Sequence, residues 1–433
     1  MQFKVFILAV VCLLMPVLWE NAHGQDESRL DRLGMDIHGF VDARGGMRTQ
    51  DDPYERDTSL AEVRIQADIS VISDTATVQV RADFLYDDVA EDTDLDLEDG
   101  TGVMDLREAN VLFSPFAIMD MKVGRQIVTW GTGDLLFIND LFPKDWQSFF
   151  IGREEPYLKA PSDALFLSLF PSFVNIDVAY MPRFDSDRYI SGERLSYWDP
   201  MLGRRSGRDN IVDADKPDEW FKDDEIAMRA YRNIAGYELA LYGYKGFWKS
   251  PKGMDPVTKN AIFPKLWTYG ASLQGPLGDG LFNLEVGHYV SEEDTSGKDP
   301  FVPNSELRLL AGYERELAKD LTGKFQYYVE HMQNYDHYKA GLTEGENARD
   351  KDRHVLTLRL TKLTLNQNMT LSFFAYYSPS DEDAYLRPMV KYKLTDNWLV
   401  VAGGNIFAGK EDHTFFGQFA KNSNVYGAVR YSF

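Results

Sequence analysis

From Gly34 onward the chain alternates apolar and polar residues in segments of about ten, the period-2 pattern of a β-strand with two unlike faces. Ala61 to Val71 is the clearest segment. Ala61, Val63, Ile65, Ala67, Ile69 and Val71 make one face, and Glu62, Arg64, Gln66, Asp68 and Ser70 the other. Thr77 to Tyr86 repeats the pattern, with Val78, Val80, Ala82, Phe84 and Tyr86 set against Gln79, Arg81 and Asp83. Strands of a soluble sandwich commonly run to about five or six residues, whereas these are long enough to cross a bilayer at a tilt.

Connections alternate in length. Short turns fall at Ser73-Asp74, Ser114-Pro115, Pro171-Ser172, Asn233 to Gly236, Gly275 to Gly280, Ala318 to Asp320, Asn366 to Asn368 and Asp396-Asn397. Long connections fall near 46–57, 88–102, 131–161, 183–222, 248–262, 292–304, 336–352, 378–383 and 409–421. Short turns on one side and long loops on the other are the arrangement of an outer-membrane barrel. The spacing predicts an all-β fold, a transmembrane antiparallel barrel of about 18 strands with both chain ends on the short-turn side. Tyr and Phe crowd the strand ends (Phe84, Tyr86, Tyr327, Tyr328, Phe373 to Tyr377), as aromatic girdles at membrane interfaces require. In the last segment Val425, Gly427, Val429, Tyr431 and Phe433 share one parity. Tyr431 and the terminal Phe433 are therefore the expected assembly signal, similar to the final strand that the bacterial barrel-assembly machinery recognises.

Before this rhythm begins, residues 1–24 read as a signal peptide: Lys4, the apolar run Val5 to Leu18, then the small-x-small site Ala22-His23-Gly24. Cys12, the only cysteine, falls inside it, so residues 25–433 are expected to form one barrel without disulfides or thiolate metal sites. No later segment approaches the roughly 18 uninterrupted apolar residues of a membrane helix. The expected location is the outer membrane of a Gram-negative cell. Its expected partners are outer-membrane lipid and lipopolysaccharide, the assembly machinery and an unknown solute; a homo-oligomer is compatible with the sequence. The formal charge of −22 excludes nucleic acid as a partner.

Strand parity assigns Glu62, Arg64, Asp68, Arg81, Asp83, Lys122, Arg229, Glu238, Glu285, Arg308, Glu314, Lys324, Glu330, Arg359, Lys391 and Arg430 to the inner face. Both signs occur, so the interior is expected to be wet and wide enough for a channel. The acidic excess belongs to loops such as Asp87 to Asp99. Asp92-x-Asp94-x-Asp96 has calcium-loop spacing, but Leu97 stands where the sharp-turn glycine is needed. A solvated loop, or one sharing divalent ions with lipopolysaccharide, fits better, and no metal or other cofactor is expected. The chain has no G-x-S-x-G, H-E-x-x-H or C-x-x-C-H motif, and its histidines are scattered, so no enzymatic chemistry is expected.

Met121 to Trp146 stands apart. A strand runs to Val128, alternation stops at Trp130-Gly131, and a long aperiodic run rich in Phe, Trp, Asp and Lys ends at Lys159-Ala160-Pro161. A long loop hung on a rigid strand is where a barrel keeps its function. Arg125 falls on the apolar parity of Met121, Val123 and Ile127, where it would meet lipid unless a bulge at Gly124 turns it inward. The pattern Gly124-Arg125-Gln126, Trp130-Gly131, Asp134, Phe142-Pro143-Lys144-Asp145 and Arg153-Glu154-Glu155-Pro156 resembles a porin-like outer-membrane family of unknown function, similar in style to alginate-export-type barrels. The resemblance, carried by residues 105–180, implies a barrel with an inserted loop and passage of a solute. The expectation is a channel for passive passage or export of a polar solute, narrowed by the loop at 131–161. The alternative is a non-conducting scaffold or receptor barrel that binds a partner protein. Candidate constriction or pore-lining residues are Arg125, Gln126, Trp130, Asp134, Lys144, Asp145 and Arg153 from this stretch, with Arg64, Arg81, Asp83, Arg308 and Lys324 from the wall.

Overall fold

A computed structural model describes residues 34–433 apart from 91–94, 96, 98–99, 101 and 343–345. The expected signal peptide and the carboxylates of Asp92, Asp94 and Asp96 lie outside the described residues. The alternating segments are strands, and eighteen of them join in one sheet. The first seven are β1 (Met35–Arg48), β2 (Thr58–Ile72), β3 (Ala76–Asp87), β4 (Met104–Phe116), β5 (Met119–Gln126), β6 (Ser162–Leu169) and β7 (Asn175–Met181). After a long excursion come β8 (Glu225–Ile234), β9 (Tyr237–Phe247), β10 (Lys265–Leu277), β11 (Gly280–Ser291), β12 (Glu306–Ala318) and β13 (Leu321–Met332). The last five are β14 (Asp352–Thr364), β15 (Met369–Ser378), β16 (Asp383–Lys393), β17 (Trp398–Gly409) and β18 (Asn424–Ser432).

Each strand pairs antiparallel with the next, and β18 closes on β1 from Phe40↔Ser432 to Arg48↔Asn424. Phe433 adds two backbone bonds, its N–H donating to the Gly39 carbonyl (3.0 Å) and its carbonyl accepting from the Gly39 N–H (3.1 Å). Closure removes both sheet edges, so backbone polar groups are satisfied within the wall, the condition for crossing a bilayer. Short turns and longer connections alternate, except that the connection expected to be long near 378–383 spans only 379–382 and is as short as the turn at 394–397.

Parity separates the two faces. Val63, Val80, Leu241, Leu284 and Leu309 are exposed on the outer wall, while Arg64, Asp83 and Glu285 point inward and are buried. The register shifts at four places, between Gly46 and Met47, Arg81 and Ala82, Phe113 and Phe116, and Glu316 and Ala318, and the second of these bears on the interior. Arg81 faces Glu108 and Ala82 faces Leu106, so Arg107 is the extra residue, and Arg107 and Glu108 are both buried although adjacent.

The interior is not simply wet and charged. Ile138, Phe142, Phe149, Phe150, Ile151 and Leu158 of the β5–β6 connection form a hydrophobic cluster with inward wall residues, among them Tyr289, Tyr328, Phe374, Tyr385 and Phe407. The core of this molecule lies inside its barrel, because the connection returns into the lumen and brings its own apolar side chains.

Candidate functional site

The connection crosses the barrel and is tied to the wall along its whole length. At Gly131 the backbone turns with φ 85°. The Glu285 carboxylate on β11 then accepts from the Thr132 N–H, from the Gly133 N–H at 2.8 Å and from Asn139 Nδ2 at 3.0 Å. Asp134 donates its N–H to Gln326 Oε1 (2.7 Å), accepts from Gln326 Nε2 at its carbonyl (2.9 Å), and takes two bonds from Arg359 at 2.6 and 2.8 Å. The Tyr376 hydroxyl donates to the Leu135 carbonyl (2.7 Å), and the Tyr289 hydroxyl to that of Ile138.

Asp145 then caps a one-and-a-half-turn helix, α1 (Trp146–Ile151), accepting from the Ser148 N–H at 2.7 Å, and Gly152 ends it in the left-handed region with φ 97°. Beyond the helix the chain reaches the opposite wall. Arg153 pairs with Glu62 at 2.9 Å through Nε and with Asp87 at 3.3 Å. Glu154 is held by Arg430 (2.6 Å) and Lys391 (3.3 Å), and Glu155 by Arg359 (3.2 Å). Tyr157 donates to Asp83 (2.6 Å), its ring between the guanidinium groups of Arg64 (4.3 Å) and Arg107 (4.8 Å).

Of the candidates named from sequence, Arg64, Asp83 and Arg153 therefore gather at one junction of loop and wall, and Asp134 stands at another. Trp130 packs edge-on against Phe142 at 5.0 Å and leans on Phe166 and Tyr242. Lys144 is buried, bonding Asp140 (2.9 Å) and the Phe142 carbonyl (2.7 Å), and Asp145 is equally buried at the cap. These two hold the loop's shape. Gln126 donates to the Ala164 carbonyl (2.9 Å). Arg81 bridges Asp68 and Glu108, Arg308 pairs with Glu306, and Lys324 lies 3.6 Å from Glu314. Arg125 is the exception. The ladder runs through Gly124 without a bulge, so Arg125 keeps the outer parity of Val123. It meets no lipid either: it is buried, donating to the Leu106 carbonyl (2.7 Å) and pairing with Asp163 (3.4 Å).

Sequence reasoning missed Gln326, Asn139, Arg44 and the aromatic wall. Gln326 shares the inward parity of Lys324, a signal that was present. Arg44 alternates with Asp42 on β1, and its guanidinium donates to the Gly152 carbonyl at 3.0 Å. Asn139 had no periodic context.

On the long-loop side of this plug lies a cavity of about 510 Å³, open to a second of about 570 Å³ through shared Lys252, Glu330, Arg353, Phe415 and Gln418. Nearby in the first long loop, the Glu55 side chain is 1% exposed, 3.9 Å from Arg48 and 3.5 Å from Arg208. Burial pushes its carboxyl up to about 7, against the pull of those two cations. Among the described residues no His, Cys, Asp or Glu cluster is arranged to hold a metal ion.

No protein-family model matches the chain, and no curated protein does. Solved structures do. Acinetobacter baumannii OccAB3 is similar with a TM-score of 0.54 and 12% identity, over 92% of this chain and 99% of that one. Pseudomonas aeruginosa OccK11 (OpdR) is similar at 0.51 and 9%, over 92% and 95%. Pseudomonas aeruginosa OccK5 (OpdH) is similar at 0.51 and 9%, over 92% and 98%. At these identities the likeness is one of fold, and the fold here is a closed barrel of 18 antiparallel strands.

Proposed function

We propose that the protein is an outer-membrane channel for a small solute, with residues 131–161 forming its constriction. One observation carries this reading: the loop is bonded to walls on both sides of the lumen, at Glu285 on β11 and at Glu62 on β2. A segment gripped in this way sets the width of any passage and lines it with fixed charge. Asp134, Arg359 and Glu155 form one such group, and Arg430, Glu154 and Lys391 another. Selectivity then comes from charge and shape, with no chemistry on the solute.

The test is planar-bilayer recording of purified protein before and after replacing 131–161 by a short Gly/Ser bridge. The wall keeps its own ladders, so the barrel survives, and single-channel conductance rises while ion selectivity weakens. Unchanged conductance sinks the constriction. A barrel silent in both forms favours a non-conducting receptor or scaffold, a rival suggested by how many wall strands grip the loop.

A further inference from the structure

The outer half of the lumen carries more apolar surface than passage of a hydrophilic solute calls for. Its floor is the loop itself: Leu136, Phe137, Leu141 and Trp146 are only half-buried and turn their remaining surface into the 510 Å³ cavity. Phe137 and Trp146 meet edge-on at 6.0 Å. One wall is the Trp248–Tyr289 stack, ring centres 5.6 Å apart and planes 29° from parallel. A water-filled vestibule leaves such surface uncovered, and covering it would contribute about 25 cal/mol per Å². The volume falls in the range of small-molecule sites, roughly 300–1,000 Å³.

The charges of this cavity are unequal in one respect. Lys144 is neutralised by Asp140, Lys249 by Glu225, Arg308 by Glu306, and Arg353 by Asp381, each within 3 Å. Among the described residues Lys252 has no carboxylate within 4 Å, although Glu306 and Glu330 act on it from farther off; its ammonium sits 4.5 Å over the Trp248 ring, at the opening into the outer cavity. An aromatic slot whose mouth holds one cation outside any close ion pair, its ammonium over an indole ring, is complementary to a molecule with a flat apolar body and an anionic end.

We propose that this vestibule is a binding site for an amphipathic organic anion, its ring-bearing body on Phe137, Leu141 and Trp146 and its charge toward Lys252. The proposal rests on the channel reading for its purpose, since binding at the mouth would load the passage, but the binding is measured separately. The probe is 2-naphthoate, titrated by calorimetry into the full barrel in lipid nanodiscs, with 2-naphthol and sucrose as comparisons and empty nanodiscs as the blank. Saturable one-to-one binding of naphthoate is expected, about tenfold tighter than naphthol, with none for sucrose. Lys252→Gln should weaken naphthoate to the level of naphthol and leave naphthol unchanged. Phe137→Ser with Leu141→Ser should abolish both. If that double variant does not assemble, the Lys252→Gln comparison decides alone. Heat identical to empty nanodiscs, or naphthoate affinity indifferent to Lys252→Gln, overturns the proposal. A barrel that binds naphthoate yet passes no current keeps this site and sinks the channel. One that conducts but does not bind it does the reverse.

Discussion

Glu285 is the strongest single tether of the inserted loop, and Glu285→Ala measures how firmly that loop is seated. Its carboxylate is 4% exposed and accepts from the Thr132 and Gly133 amides and from Asn139 Nδ2. The Asn139 N–H adds a fourth, longer bond at 3.4 Å. A hydrogen bond to a charged group contributes roughly 1.5–3 kcal/mol, and four of them give an upper bound of roughly 6–12 kcal/mol. The bonds are cooperative with one another, and water entering the truncated site would satisfy part of what is lost. A realistic loosening is about 3 kcal/mol, which is about a hundredfold in the local opening equilibrium. Hydrogen exchange followed by mass spectrometry reads this directly on peptides covering 128–141. Their exchange should accelerate about a hundredfold while peptides of β10 and β12 stay protected, since the Glu285 backbone keeps its ladder to Ser272 and Leu310. Unchanged exchange at 128–141 would show that the loop is held by its aromatic packing alone. Equal acceleration in the wall would show that Glu285 stabilises the barrel, not the plug.

Three further outcomes are expected. Val80→Arg, on the exposed outer face opposite Ile69, should destabilise by roughly 2–4 kcal/mol, whereas Gln79→Arg, facing inward beside Asp68, should be tolerated; heat-modifiability on gels separates them, and equal damage would overturn the parity assignment. Deleting Phe433 removes both backbone bonds to Gly39, so membrane-inserted protein should fall with export unaffected, and normal insertion would deny the residue its role in closure. The Glu55 carboxyl is raised in the folded state, so its contribution to loop stability is full below the unfolded value and is lost as pH rises through about 7. Proteolysis within 49–57 should therefore increase from about pH 5 to pH 8 in the native chain and stay flat in Glu55→Gln; parallel profiles would locate the titration elsewhere.

The wall was legible because its signal is local. A strand's two faces alternate residue by residue, so Ala61 to Val71 states its own orientation, and its neighbours must agree for the backbone to be paired. Nothing local announces the bulge at Arg107, where two consecutive polar residues both turn inward. Arg125 was misplaced between two options because its shelter comes from outer-face neighbours distant in sequence, Leu106 and Asp163. The loop was recognisable as a break in period at Trp130-Gly131, but its path was not. Leu135 holds a left-handed backbone (φ 58°), which its residue type does not suggest. Its tethers, Glu285, Gln326 and Arg359, lie far along the chain, on strands whose closure alone brings them near.

That distance dictates an order of events. The plug's anchors are divided among β1–β4, the connection between β7 and β8 (Asp187, Arg188 and Tyr189), and β11–β18, the last synthesised part of the chain. While those late strands are unmade, residues 131–161 have nothing to bond on one side, and their Phe and Trp side chains have no partner wall. Contacts so far apart form only after the intervening chain has been arranged. The plug is therefore fully seated only when both the early and the late strands stand in place around it. A seated plug is a receipt of completion, and a barrel stalled before closure is recognisable by an unsheltered aromatic loop available to a protease.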